Sequence, residues 1–268
     1  MAIKIFVDAL CDLSEKQRKE FSIQVFPYLF EIEGKEYLTS EVSSEQIKEY
    51  LQKGIKVKTS RPALNVWNSL IQKTFEDGDD IFYVASTSKM TGALASIKVA
   101  YNIFKTKFPE RRIETVDTLL TANAQACLVI ELANSHLDNF EDLIEKTKKL
   151  SKKTICRGSL YSTSTFIGNN RLEEKSIDMP VIIMREGLIY IDKEFPSKKD
   201  ALDYIWNQID FQKVKRINIT YSIDIPVSKI QSYLNGKNIT TPYTLEVMES
   251  CMFSYLGLDT VCISWIED

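Results

Sequence analysis

Ile81-Phe82-Tyr83-Val84-Ala85-Ser86-Thr87-Ser88-Lys89-Met90-Thr91-Gly92 decides the fold. Its first five residues are apolar and β-prone, the composition of a strand buried on both faces. Ser86–Lys89 read as a polar loop. Thr91-Gly92 then open a helix carrying Leu94, Ile97, Val99, Tyr101 and Phe104. Strand, hydroxyl-rich loop and helix together form the repeating unit of a parallel sheet covered by helices. In such sheets ligands sit beyond the carboxyl ends of the strands, where loops feed helix N-termini.

The same alternation extends both ways from this stretch. Upstream, Ile3–Val7 predict a buried first strand ending at Asp8, and Ser14 to Phe21 predict a short helix. Ile23–Ile32 are β-rich, and Glu33-Gly34 turn the chain into Glu36–Leu38. Ser43-Ser44-Glu45-Gln46 has the form of a capping box before a helix carrying Ile47, Tyr50 and Leu51. Thr59-Ser60-Arg61-Pro62 reads as a polar stop before a helix with Leu64, Trp67, Leu70 and Ile71, which Gly78 closes. Downstream, Arg112–Val116 predict a strand and Thr121 to Ala133 a helix. Asp138 with Glu141 caps a further helix reaching Leu150. Beyond it the pattern changes. Val181–Met184, Leu188–Ile191, Val214–Tyr221 and Val261–Trp265 read as strands, and Arg185-Glu186-Gly187 reads as a hairpin turn between the first two. Ser197–Ile209 and Pro226–Leu234 read as helices. The expectation is two α/β domains. Residues 1–155 form a mostly parallel three-layer sheet and residues 156–268 a mixed sheet, with the boundary in the Ser-, Lys- and Gly-containing stretch 151–158.

Composition removes several function classes. The 268 residues carry a net charge of −3, so a general attraction to nucleic acid has no electrostatic support. The five cysteines are scattered and odd in number, with no C-x-x-C pair, which argues against a disulfide framework or a zinc knuckle. They read as core fillers. The single histidine, His136, lies in a turn-like Asn134-Ser135-His136 context and excludes every multi-histidine metal site. No nucleophile elbow, Walker loop or dinucleotide fingerprint occurs. The sequence therefore predicts no catalytic residue, no metal and no cofactor. Asp77, Asp79 and Asp80 flank Gly78 and read as a solvated turn. The longest apolar stretch, near Ala126–Ile130, is too short for stable membrane insertion. The start of the chain lacks the charged and apolar regions of a signal peptide, so a cytoplasmic protein is expected.

Two segments remain, Thr59-Ser60-Arg61-Pro62 and Ser86 to Gly92, both expected in loops just before helices. Free N–H groups, a partial positive charge and side-chain hydroxyls meet at such places. Two roles are open to them: simple N-caps, or a neutral cradle for one carboxylate or phosphate.

The chain resembles the DegV family of bacterial fatty-acid-binding proteins. Ile5-Phe6-Val7-Asp8-Ala9-Leu10-Cys11-Asp12-Leu13 is similar to the family's I-x-x-D-S-x-x-D-L. Val25-Phe26-Pro27 and Ile32-Glu33-Gly34-Lys35-Glu36-Tyr37 resemble its VVPL…IDGKEY stretch. Thr59-Ser60-Arg61-Pro62 resembles T-S-Q-P, and Ser88-Lys89-Met90-Thr91-Gly92 resembles S-x-L-S-G. Val116-Asp117-Thr118, the Leu160 to Leu172 segment and Pro180 to Gly187 follow in the same order. The resemblance implies two α/β domains with a long-chain fatty acid between them as a bound ligand, no catalysis, and a fatty acid kinase as the partner that receives the acyl chain. It also implies head-group contacts from Thr59, Ser60, Thr91 and Gly92, with Asp8 beside them. Arg171 is implied as a contact to partner or phosphate, with a surface salt bridge as its other reading. Phe166 and Ile167 are read as tail-pocket lining or ordinary core. The sequence departs from the family pattern at Ala9, Ala124, Ala126, Asn169, Asn170 and Tyr255. These departures leave a second reading, a lipid-binding or sensing module with another amphipathic ligand and no kinase partner.

Overall fold

The structure is a computed structural model, and it describes residues 2–61, 64–161, 179–237 and 239–268. Its first half runs β1 (Ile3–Asp8), α1 (Glu15–Glu20), β2 (Gln24–Phe26), β3 (Leu29–Ile32), β4 (Lys35–Leu38), α2 (Ser44–Gln52), β5 (Val57–Ser60), α3 (Leu64–Glu76), β6 (Asp80–Ala85), α4 (Ala93–Phe104), β7 (Ile113–Asp117), α5 (Ala122–Ala133) and α6 (Phe140–Lys153). Strands β2, β1, β6 and β7 pair in that order, all parallel. Every residue of β6 is buried. Its alternate side chains feed two cores: Ile81, Tyr83 and Ala85 enter the one shared with Phe26 and Trp67, while Phe82 and Val84 enter the one shared with α5 and α6. A strand apolar on both faces thus becomes the middle of a three-layer sandwich.

Three expectations for this half change. Thr59 and Ser60 lie at the end of strand β5, not in a loop. Val57 and Thr59 point inward while Lys58 and Ser60 are exposed, an edge-strand alternation that a polar, hydroxyl-rich composition disguises. β5 belongs to a separate antiparallel sheet of order β4-β3-β5. Asp80 is buried instead of solvated. It accepts from the Arg112 amide at 3.0 Å and lies 3.6 Å from the Arg111 guanidinium, which offsets the cost of burying its charge. The N-cap of α6 is Asn139, which accepts from Asp142 N–H at 2.9 Å, and not its neighbour Asp138.

The second half runs β8 (Thr154–Ser159), β9 (Met179–Arg185), β10 (Leu188–Phe195), α7 (Lys198–Trp206), β11 (Val214–Tyr221), α8 (Val227–Asn235), β12 (Tyr243–Val247), α9 (Ser250–Leu256) and β13 (Val261–Glu267). Its sheet has the order β10-β9-β8-β13-β11-β12. Only β11 and β12 pair in parallel, so the sheet is mixed as expected. The β9–β10 turn carries Glu186 and Gly187 at φ 48° and 82°, as a two-residue hairpin matched to strand twist requires.

Helix α5 joins the two halves. It contacts α6 on one side and β8, β11 and β13 on the other, and it is buried from Ala122 through Leu132. Ala122, Ala124 and Ala126 are among its buried residues. One apolar cluster then crosses the boundary, with Phe30, Ile47 and Trp67 from the first half meeting Met248, Met252 and Tyr255 from the second.

Candidate functional site

Two polar clusters form at the carboxyl ends of β1 and β6. The first centres on Asp8, which is fully buried. It accepts from Leu10 N–H (3.0 Å), the Tyr83 hydroxyl (2.7 Å) and Ser86 N–H (3.0 Å), and its Oδ1 lies 2.7 Å from Ser86 Oγ. Ser86 Oγ also contacts Gln125 Oε1 at 2.6 Å, while Gln125 Nε2 donates to the Val84 carbonyl. One serine proton cannot serve two acceptors. A proton on Asp8 would supply the missing hydrogen, and burial raises its pKa in that direction against the hydrogen bonds that lower it. Both oxygens of Asp8 are engaged by the protein. The residue ties the end of β1 to the loop after β6.

The second cluster surrounds the start of α4. Thr91 Oγ1 accepts from Ala93 N–H at 3.3 Å and stands 2.7 Å from the Tyr28 hydroxyl. Tyr28 begins the β3 side of the small sheet. Its backbone exchanges hydrogen bonds with Thr39, and the Trp67 indole donates to the carbonyl of neighbouring Pro27. The phenol is 3% exposed. Burial pushes its pKa well above the ordinary tyrosine range, so it stays protonated. In the antiparallel register Leu29 pairs with Ser60 and Phe30 with Thr59, so the next step sets Tyr28 across from Arg61. Arg61 reaches the same helix start: its guanidinium donates to the Gly92 carbonyl at 3.2 Å and to the Ser96 hydroxyl. A Cβ on Gly92 would sit 3.1 Å from the Arg61 guanidinium carbon, so glycine there makes room for the arginine. Thr59 lies two residues before Arg61, on the inward face of β5.

The sequence-predicted residues thus separate. Thr91 and Gly92 lie at the start of α4, and Thr59 lies on the inward face of β5. Ser60 points to the opposite, exposed face of β5. Asp8 is a support with no free oxygen. Arg171, Phe166 and Ile167 lie outside the described residues, as do Asn169 and Asn170. Sequence reasoning missed Tyr28 and Arg61 as site residues. Arg61 stands inside the Thr59-Ser60-Arg61-Pro62 motif, but its reach to α4 depends on a strand register that no local pattern displays.

The second half reaches this loop as well. Thr87 Oγ1 donates to the Gly187 carbonyl at 2.9 Å, docking the β9–β10 hairpin on the segment that leads into α4. Two surface grooves lie elsewhere. One, of about 680 Å³, includes Lys4, Arg18 and Lys73, and the other, of about 900 Å³, includes Ala9, Thr39 and Glu249. Neither is lined by Tyr28, Thr59 or Thr91. Among the described residues no group of three or more His, Cys, Asp or Glu side chains could hold a metal. No described helix is long and apolar enough to cross a membrane. His136 is exposed in the turn before α6.

A parallel three-layer sheet, a mixed second sheet and a hydroxyl cluster near their junction define a two-domain α/β protein. The chain belongs to the DegV family: the model of that family, described as an uncharacterised protein, matches residues 2–161. A DegV domain-containing protein of Clostridium perfringens is 21% identical over 215 residues, covering 76% of each chain. Among solved structures, the fold is similar to DegV, a fatty acid binding protein from Bacillus subtilis, with a TM-score of 0.85, 15% identity and complete coverage of both chains. It is also similar to the Fatty Acid Kinase B3 protein of Streptococcus pneumoniae, loaded with linoleic acid, with a TM-score of 0.82, 16% identity and the same coverage.

Proposed function

We propose that this chain binds a long-chain fatty acid without transforming it, and presents the acid to a fatty acid kinase. The carboxylate is held by the Thr59 and Thr91 hydroxyls and the free N–H groups at the start of α4, and the acyl chain enters the apolar cluster shared by the two domains. The observation that carries this reading is the hydroxyl cluster around Thr91 at the edge of that cluster. The fatty-acid-loaded relatives of the same fold support it. The energetics agree in scale. Burying a methylene contributes about 0.8 kcal/mol, so a dozen contribute roughly 10 kcal/mol. A carboxylate buried without partners would cancel much of that. Hydroxyl donors on a helix N-terminus lower the cost. The kinase role rests on the likeness to the streptococcal kinase component, and co-purification with a kinase subunit separates it from a carrier that acts alone.

Native mass spectrometry of the purified protein, followed by organic extraction, tests the reading. One fatty acid per chain is expected, with at least tenfold weaker uptake in the Thr59→Val, Thr91→Val double variant. A protein that is empty and takes up no added fatty acid overturns it.

A further inference from the structure

We propose that Tyr28 contacts the ligand directly: its phenol, paired with Thr91, donates a hydrogen bond to the ionised head of the bound amphiphile and selects the acid over the neutral alcohol of the same chain. This rests on the fatty-acid reading above and adds a residue and a selectivity to it.

A proton count leads to it. The Tyr28 and Thr91 hydroxyls are 2.7 Å apart and carry two protons between them. Their mutual hydrogen bond uses one. Thr91 Oγ1 also accepts from Ala93 N–H, which occupies a lone pair and no proton. Whichever hydroxyl donates within the pair, one O–H is left to donate outward. A threonine alone offers that proton from an alcohol. The pair offers it from a phenol whenever Thr91 is the inner donor. A phenol is the more acidic group and the stronger donor to an anion.

Geometry sets the phenol next to the position of a head held by Thr91. The two hydroxyl oxygens are 2.7 Å apart, so a head oxygen that accepts the pair's outward proton from the phenol stays close to Thr91. Burial fixes the phenol in its protonated form, so it meets an anion as a donor and never as a competing negative charge. The ring is held in place by Trp67, 6.3 Å away between centroids, and by the Thr39 backbone bonds, so the hydroxyl is set before the ligand arrives. Arg61, across the register from Tyr28, reaches the same turn and adds positive charge to an arrangement that favours the acid. An alcohol head can take one hydrogen bond from the pair but gains nothing from the charge.

The test measures equilibrium binding of hexadecanoic acid and hexadecan-1-ol to the full wild-type chain and to Tyr28→Phe, which keeps the ring. In the wild type the acid binds more tightly than the alcohol. In Y28F the acid weakens by about tenfold, the scale of a hydrogen bond to a charged group, while the alcohol stays within about twofold. An unchanged acid affinity in Y28F overturns the inference and leaves the fatty-acid reading standing. An equal loss for acid and alcohol also overturns it, because a purely structural tyrosine would weaken both. A wild-type chain that binds neither ligand overturns the fatty-acid reading itself. Should Y28F fail to fold, a structure of the loaded wild-type protein decides. Tyr28 Oη within hydrogen-bond distance of a head oxygen supports the inference, and a head bound beyond that distance overturns it.

Discussion

The Asp8 knot and the Thr91 cluster stand at the same end of the same sheet, are built from the same residue types, and are put to different uses. Around Asp8 every donor has an acceptor within the protein, and both carboxyl oxygens are engaged. Around Thr91 the count leaves one hydroxyl proton over, and Arg61 brings positive charge to the same turn. Hydroxyl richness therefore does not mark a ligand site, because both clusters have it. Among the described residues, a donor left over is what sets the proposed site apart. On the proposed reading Asp8 is a structural support and Thr91 a ligand contact.

The sharpest way to break that comparison is to remove the knot. Asp8→Ala strands the Tyr83 hydroxyl and the Ser86 and Leu10 amides in a buried space, and a loss of about 3 kcal/mol of unfolding free energy is expected in denaturant titration. Thr91→Val, where the partners left behind are fewer, is expected to cost under about 1 kcal/mol. Equal losses for the two variants would mean that the fold depends on Thr91 no less than on Asp8.

A second carboxylate refines the contrast. Asp12 is as buried as Asp8 but has fewer donors, chiefly Glu249 N–H at 2.8 Å. Burial outweighs that amide and the Thr220 hydroxyl and raises its pKa from 3.8 to about 7. A carboxyl whose folded pKa lies above its unfolded value binds more protons in the native state between the two. Its contribution to stability is therefore fully present below about pH 4 and falls as pH rises towards 7. Between pH 5 and 8 the wild type should lose on the order of 2 kcal/mol more than Asp12→Asn, read from paired denaturation curves. Parallel pH profiles would show that Asp12 keeps an ordinary pKa. Asp12 links β1 to the start of α9, so the same experiment reports on the contact between the two halves.

Much of this was legible in the sequence, and the rest was hidden for definite reasons. The run Ile81–Ala85 showed a strand buried on both faces because neither face carries a polar residue. The Ser43–Gln46 capping box and the Glu186-Gly187 turn were visible because their chemistry is local: both bonds of the capping box form, and the turn has its two positive φ angles. Strands β8 and β12 and helix α9 left weaker traces. β8 carries Arg157 and Gly158 and follows α6 with no break, so the lysine-rich helix tail masks its start. β12 is five residues long and only partly buried. α9 is buried on every side and has no polar stripe to set its period. At the site, Thr91 could be found because its motif is contiguous. Tyr28 and Arg61 could not, because they meet α4 through a pairing of β3 with β5 some 30 residues apart in sequence.

The smallest expected effect tests the open cluster from outside. Arg61 is exposed, and its contacts to the Gly92 carbonyl and the Ser96 hydroxyl place a cation at a helix N-terminus, where the helix dipole disfavours one. An anion seated at Thr91 reverses that sign, because the guanidinium then faces a negative charge. Arg61→Gln keeps a side-chain amide able to reach the same carbonyl and removes only the charge. In solvent a charge contact of this kind contributes about 0.5 kcal/mol, so fatty-acid affinity should fall by roughly twofold to threefold at low salt. Screening should erase the difference between wild type and variant as ionic strength approaches about 1 M, where the Debye length shrinks to about 3 Å. Thermal stability without ligand should stay level or rise slightly, since the disfavoured charge is gone. A variant that loses stability and keeps its affinity would make Arg61 a brace for the first turn of α4 and leave the hydroxyls alone to hold the head.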